Sequence, residues 1–434
     1  MKILLPLIIA GLLIINLYCC NFAFAINVSE AIDLAISNNI EIQIENKKTD
    51  YSTILQYETI TNFLPSASLN YRNGTRKTAI NSISNTQKDR QKDRVTTLNI
   101  SQPLFSGFSG LAKYRISSYQ NKSAKENLKL KQNEIALRVA ESYFNIAKYQ
   151  KLVKLDTNLR DYYRQAITLT KKKLELQDLD YEQFSAIELK SKRNDIEFNQ
   201  HKIALIGASA TFSHLTNLQN IDAEDLQFPD LQELKDFSET QDLASFIATA
   251  IRENPRIKSA SFISKAKENA VLSEGSKILP KISLNYQEET QQSSYYFNDQ
   301  NLNNKSIYLN FAVPIFQSGE EYSGIIKANK ESQIANLEKK LPISEISRDA
   351  LENYQKFLYL QKNLQLSLEA LASSNKALDI AKRKFNKKDL ALSDYLLQQI
   401  DNIELEKQLI ITKCDYLISY YNLKFLTNEI NRQQ

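Results

Sequence analysis

The chain repeats itself, and that limits its fold more than any single motif. Residues Asn27–Tyr71 align without a gap on Asp242–Tyr286, at an offset of 215. The alignment is strongest where Leu64-Pro65-Ser66-Ala67-Ser68-Leu69-Asn70-Tyr71 meets Leu279-Pro280-Lys281-Ile282-Ser283-Leu284-Asn285-Tyr286. A second block, Leu98–Phe105, falls on Leu309–Phe316 at an offset of 211. The same offset carries Asp178-Leu179 onto Asp389-Leu390 and Leu215-Thr216-Asn217 onto Leu426-Thr427-Asn428. Internal similarity of this kind marks two copies of one structural unit. The copies are assigned to 26–217 and 242–434. An acidic connector, 218–241, joins them and holds Asp222, Glu224, Asp225 and Pro229. The change of offset falls between Tyr71 and Leu98, in a polar stretch with Asn73-Gly74 in one copy and Asn298-Asp299 in the other. Such dipeptides read as turns, where length changes are tolerated.

Each copy reads as helix, strand, loop, strand, long helix, tight break, long helix. Ala67, Leu69 and Tyr71 alternate with Ser68 and Asn70, and Ile282, Leu284 and Tyr286 share one face. Ile307, Leu309, Phe311 and Val313 do the same on a return strand. Apolar residues on one face and polar ones on the other suit a barrel wall with a wet lumen, and equally a soluble sheet with one wet face. Pro65, Pro103, Pro280 and Pro314 are expected at strand ends, where a missing N–H costs nothing. With 8 Gly and 8 Pro in 434 residues, long uninterrupted elements are favoured over many turns. From Leu111 to Gln177 there is neither Pro nor Gly, enough for roughly 100 Å of helix. Within it Leu152, Leu155, Leu159, Tyr162, Ala166 and Leu169 are spaced like a coiled-coil seam. Leu364, Leu371, Leu378, Phe385 and Leu392 repeat every seven residues in the second copy, as do Leu396, Ile403, Ile410 and Leu417. The breaks after these runs, around Gln177-Asp178-Leu179 and Lys388-Asp389-Leu390, predict antiparallel helical hairpins.

The N-terminus reads as a secretory signal over 1–25. Lys2 is followed by an apolar run from Ile3 to Tyr18, then by Ala23-Phe24-Ala25. A retained anchor and lipidation at Cys19 or Cys20 rank lower, because a small-residue cleavage site follows the apolar run and no small residue precedes either cysteine. No later stretch is apolar for the ~18 residues that a spanning helix needs. A membrane crossing must then use strands in a closed barrel. Four strands cannot close one, so the chain must oligomerise. Two chains supply eight strands and three supply twelve, and the sequence does not choose.

No catalytic, metal or cofactor constellation is present. His201 and His214 lie thirteen residues apart on a helix, without metal-ligand spacing. No phosphate-binding loop, nucleophile elbow or zinc-protease motif occurs. Cys414, the one cysteine after the signal, reads as a small apolar helix residue. The net charge of +5 is spread along the chain and does not suggest nucleic-acid binding.

The order Ala-Ile-Ser-Asn-Asn (35–39), Leu-Pro-Ser-Ala-Ser-Leu-Asn-Tyr (64–71), Gln-Pro-Leu-Phe-Ser-Gly (102–107) and a long helix hairpin, all duplicated, resembles the TolC family of outer-membrane efflux proteins. The resemblance implies a mainly α fold with membrane β-structure: a homotrimer with a twelve-stranded barrel continuous with a periplasmic α-helical tunnel. It implies an outer-membrane channel for drugs or proteins that extends into the periplasm. The implied partners are a periplasmic adaptor and an inner-membrane pump or ABC exporter. A periplasmic coiled-coil adaptor or scaffold is the competing reading, against which stand the scarce glycine and the two hairpins.

The family's second bend runs aromatic-x-x-Gly-x-x-Ser-x-x-Asp-x-Leu. Here those positions hold Phe385, Lys388, Ala391, Asp394 and Leu396. Lys388 stands where the family has glycine, and Gln177 stands there in the first copy, so the sequence leaves the bend conformation open. The resemblance assigns Gln177, Asp178, Leu179, Lys388, Asp389 and Leu390 to bends that dock an adaptor. It places Asp394, with its first-copy counterpart Gln183, at the periplasmic aperture. A solvated aspartate at a helix start is the alternative for Asp394.

Overall fold

A computed structural model describes residues 26–82, 85–177, 180–218, 242–295, 298–316 and 319–431. The proposed signal, 1–25, most of the connector, and Asp178 and Leu179 lie outside the described residues. The chain divides into two compact units, and each draws on both halves of the sequence. One unit comprises 44–129 and 255–344, and the other comprises 1–43, 130–254 and 345–434.

The first of these contains the sheet. Strands β1 (Ser66–Ser82), β2 (Asn85–Ser106), β3 (Lys281–Tyr295) and β4 (Asn298–Ala312) pair antiparallel in the order β1-β2-β3-β4. The strands outrun the sequence reading. Asn73-Gly74 is not a turn but lies inside β1, opposite Arg94 and Asp93. Asn298-Asp299 opens β4, with Asn298 paired to Tyr295. Backbone pairing with a long neighbour overrides the local turn preference of these dipeptides. Pro65 and Pro280 immediately precede β1 and β3, and Pro314 follows β4. Pro103 does not end a strand. It sits inside β2, where the register against β3 shifts between Pro103 and Phe105, and a bulge tolerates the missing N–H. Val313 lies just past β4 rather than on it.

Helices flank the sheet in sequence: α1 (Val28–Asn38) and α2 (Ile40–Glu58) before β1, α3 (Ser109–Glu175) and α4 (Tyr181–Thr216) after β2. Helices α5 (Leu243–Glu253) and α6 (Pro255–Gly275) precede β3, and α7 (Glu320–Glu338), α8 (Lys340–Asn386) and α9 (Leu392–Leu426) follow β4. Asn27 starts α1 with a capping box, accepting the Glu30 N–H at 2.9 Å while the Glu30 carboxylate accepts the Asn27 N–H at 3.1 Å. Asp242 starts α5 by accepting the Ser245 N–H at 3.1 Å. Helix α3 is one element of 67 residues. Its counterpart is not: α7 and α8 are separated at Lys339. Pro342, in the first turn of α8, has no N–H to offer the preceding turn, and proline at a helix start is the ordinary solution.

The helical unit is held by seams between α3, α4 and α9. Leu155, Leu159 and Tyr163 of α3 pack with Ile400 and Ile403 of α9, and Ile187 of α4 joins them. The α3 seam is rotated slightly from the expected one. Tyr163 and Thr170 are buried where Tyr162 and Leu169 were expected, because a straight helix drifts against a seven-residue repeat. A second cluster joins Tyr143 and Phe144 of α3, Phe212 of α4 and Tyr421 of α9, with ring centroids 5.5–6.2 Å apart. Cys414 is fully buried in α9, and burial pushes its thiol up to about 12.

Candidate functional site

Three features bear on function: the faces of the sheet, the bends between long helices, and a charged cluster inside the helical unit.

Side chains alternate across a strand, so the register decides what each face presents. Ala67, Ile100, Tyr286 and Ile307 form one cross-strand row, and Ile282 pairs with Phe311 and Leu284 with Leu309 on the same face. That face is not covered within the chain: Leu69, Ile307, Leu309 and Phe311 are each more than 60% exposed. The opposite face carries Ser68, Asn70, Asn99, Ser101, Ser283, Asn285 and Asn310. The apolar face ends in a polar boundary, where Glu288 faces Lys305 across the strands at 3.1 Å and accepts the Tyr286 hydroxyl at 2.9 Å. Strands β1 and β4 are outermost, each paired on one side only among the described residues.

The bend between α8 and α9 is a helix C-cap of the Schellman type. The Asp389 N–H donates to the Lys384 carbonyl and the Lys388 N–H to the Phe385 carbonyl, both at 2.9 Å. Such a cap needs one left-handed residue, and here it is Lys388, at φ 66°. Gln177, the position 211 residues earlier, is left-handed as well, at φ 60°, and its N–H donates to the Leu174 carbonyl at 3.0 Å. Both residues therefore adopt the conformation that glycine would favour. Phe385 and Tyr395 brace the bend with rings stacked 5.0 Å apart. The Lys173 ammonium donates to the Ser393 hydroxyl at 3.1 Å, so the end of α3 adjoins the start of α9. Gln177, Lys388 and Asp389 are exposed and Leu390 is half-buried.

Asp394 and Gln183 are both exposed and lie in the first turns of α9 and α4. The Asp394 carboxylate accepts the Ser393 hydroxyl at 3.3 Å.

The charged cluster was missed by the sequence reading. Asp156 of α3 is fully buried, 2.9 Å from the Lys407 ammonium of α9 and 2.7 Å from the His201 Nδ1 of α4. The Asp156–Lys407 contact is an ion pair rather than a well-directed hydrogen bond. Lys407 also donates to Glu197 at 2.7 Å and lies 3.5 Å from Glu404. Desolvation pulls the Lys407 ammonium down, but the hydrogen bond to Glu197, the close Asp156 carboxylate and the charge of Glu404 outweigh it, so it is held above the ordinary lysine range. Burial and the Glu404 charge push the neighbouring Tyr163 hydroxyl up to about 12. His201 is thus tied to the interior of three helices. The readable signal was in α9, where Ile400, Lys407, Cys414 and Tyr421 form the second row of the heptad beside Leu396, Ile403, Ile410 and Leu417.

Among the described residues no helix is long and apolar enough to cross a membrane, and no cluster of His, Cys, Asp and Glu is arranged to hold a metal ion.

No curated protein matches the chain by sequence search. Solved structures do match its fold. The Campylobacter jejuni CmeC outer membrane channel is 17% identical, with 94% of this chain and 87% of that one covered at a TM-score of 0.75. The outer membrane protein VceC of Vibrio cholerae is 12% identical, with 92% and 96% covered at 0.75. The open state of the Neisseria gonorrhoeae MtrE outer membrane channel is 13% identical, with 94% and 92% covered at 0.72. At these identities the likeness shows the fold. The sequence profile of the family described as Outer membrane efflux protein matches residues 60–176 and 246–429, more than half of the chain. Matched on that scale, with an exposed apolar sheet face and paired long helices in place, the chain belongs to the outer membrane efflux protein family.

Proposed function

We propose that this protein is the outer-membrane exit duct of a tripartite efflux or type I secretion system, passing drugs or proteins from the periplasm to the outside without catalysis. The observation that carries this reading is the four-stranded sheet. It exposes an apolar face, keeps a polar one, and leaves two outermost strands open to further pairing. Exposed strand edges do not persist in lipid, and closure by copies of the same sheet removes them. Three chains would give a twelve-stranded barrel with the apolar face to lipid. The resemblance of the whole chain to its family favours that number over two.

In this reading the two sequence repeats, 26–217 and 242–434, contribute equivalent hairpins, the 218–241 connector joins them, and 1–25 is removed on export. The helical bends at Gln177-Asp178-Leu179 and Lys388-Asp389-Leu390 dock a periplasmic adaptor, which couples the duct to an inner-membrane pump or ABC exporter. Asp394 and Gln183 line the periplasmic aperture. Three Asp394 carboxylates around one axis would attract cations to the constriction.

The test is biochemical. Heat-modifiable trimers in the outer-membrane fraction, with channel conductance in planar bilayers, are expected. A soluble periplasmic monomer would sink the duct and favour an adaptor or scaffold. The pump that co-purifies separates efflux from type I secretion. Replacing Asp394 with Ala should raise single-channel conductance, and an unchanged value would remove Asp394 from the aperture.

A further inference from the structure

The duplication lets one seam of the helical unit be compared with its own repeat. Helix α9 lies in a groove between α3 and α4, where Lys407 meets Asp156 and Glu197. Leu155, Asp156, Leu159, Asn194, Glu197 and His201 gather at that seat. Moved on by 211 residues, the six positions hold Leu366, Ser367, Ala370, Leu405, Gln408 and Thr412. All six line an open groove of about 310 Å³ between α8 and α9. The second copy rebuilds the seat, and among the described residues its lining comes from α8 and α9 alone.

The helix rows that fit such a seat show the same split. In α9, Ile400, Lys407 and Cys414 recur every seven residues and are no more than 4% exposed. Their counterparts in α4, 211 residues earlier, are Leu189, Ile196 and Ile203, which are 55%, 58% and 71% exposed. An exposed apolar row at heptad spacing suits another helix. Both the row and the groove are open, so they do not meet within the chain. Seating the α4 row of one copy in the α8–α9 groove of the next repeats the packing of α9 on α3 and α4. A head-to-tail contact of this kind can close a ring.

The two seats differ in charge. The first holds the fully buried Asp156 with Glu197 and His201. The second holds Ser367, Gln408 and Thr412, and no ionisable group lines it among the described residues. The incoming residue changes to match, with Lys407 for the first seat and Ile196 for the second. Exchange is costly in both directions. Lys407 in the second seat would bury an ammonium with no carboxylate, and Ile196 in the first would leave the Asp156 carboxylate without its cation.

We propose that the Asp156–Lys407 pair is a sorting device: it admits α9 to the α3–α4 groove and reserves the uncharged α8–α9 groove for the Leu189–Ile196–Ile203 row of a second copy. This rests on the closure by copies proposed above and adds the residues that tell two seams of one repeated design apart.

The experiment uses the full chain in detergent, with oligomers sized by native mass spectrometry. Ile196→Lys should cut the yield of the parent oligomer by about tenfold, because an ammonium enters a seat without a carboxylate. Adding Ser367→Asp should restore the yield. In a Cys414→Ser chain, Ile196→Cys and Ser367→Cys should be joined between chains by a short bismaleimide. A chain with Lys407→Ile, Asp156→Ser and Glu197→Gln has two uncharged seats and should give several oligomer sizes in place of one. A normal yield from Ile196→Lys, no restoration by Ser367→Asp, or a single unchanged size from the triple variant overturns the sorting. Should the triple variant fail to fold, the restoration and the crosslink still decide. A parent oligomer without linkage between chains overturns the sorting and leaves closure by copies standing. A monomeric parent chain overturns both.

Discussion

At the scale of single residues, two positions carry most of the information. Lys388 adopts a left-handed backbone that costs an L-residue about 1–2 kcal/mol relative to glycine. Lys388→Gly is therefore expected to stabilise the protein by about 1 kcal/mol, read as a higher unfolding temperature in detergent. An unchanged or lower temperature would show that the lysine side chain stabilises the fold by at least as much. Lys407 is the other. It is the one cation beside Asp156, Glu197 and Glu404 among the described residues of this cluster. Lys407→Ala leaves the buried Asp156 carboxylate with His201 as its remaining partner and should destabilise the protein by about 3 kcal/mol. The pH dependence has a definite sign. The folded ammonium binds its proton more tightly than the unfolded one, whose ordinary value is 10.5. The stability it contributes is fully present below pH 10.5 and falls as the pH rises through the folded value. Denaturant titrations at rising alkaline pH should show this slope in the parent protein, and Lys407→Met should reduce it to the part that Tyr163 and Cys414, also raised by burial, contribute. His201 and Lys407 were legible as residue types but not as partners, because Asp156 and Lys407 are 251 positions apart and only helix packing brings them together.

At the scale of elements, the junctions are the demanding places. Gly107 follows β2 with φ +62°, and a Cβ there would sit 2.6 Å from the Ser276 carbonyl oxygen, so both backbone conformation and space require glycine. Gly74, inside β1, has open space around it. Gly107→Ala should lower stability by about 2 kcal/mol or more and reduce the yield of assembled protein, while Gly74→Ala should be nearly silent. Equal yields would sink this account of the strand-to-helix junction. The elements themselves were largely readable. Heptad spacing and the absence of Pro and Gly announced α3, and period-two alternation announced the strands. Strand length was not, because Asn73-Gly74 carries a strong local turn signal that a long paired neighbour overrides. The bulge at Pro103 was equally hidden, since a proline looks the same at a strand end and at a bulge until the register is known.

At the scale of the whole molecule, the apolar sheet face needs a non-aqueous neighbour. Leu309 and Asn310 are adjacent in β4 and face opposite ways, and both are exposed. If lipid covers the apolar face, Leu309→Arg should cost up to about 2–4 kcal/mol and impair outer-membrane assembly, while Asn310→Arg should assemble normally and change conductance. Equal tolerance of the two substitutions would remove lipid from that face. By itself the sequence determined the alternation of the strands, the seams of the long helices, the two bends and the recurrence of the pattern along the chain. Each of these is a periodicity or a breaker, and local chemistry is enough to write it. The tertiary structure decided which apolar positions are buried in seams and which stay exposed on the sheet, that Asp156 meets Lys407, and that Lys388 and Gln177 take up a left-handed backbone that glycine would favour. These depend on register and on contacts between distant segments, and free energies of packing, not local preference, select among the alternatives.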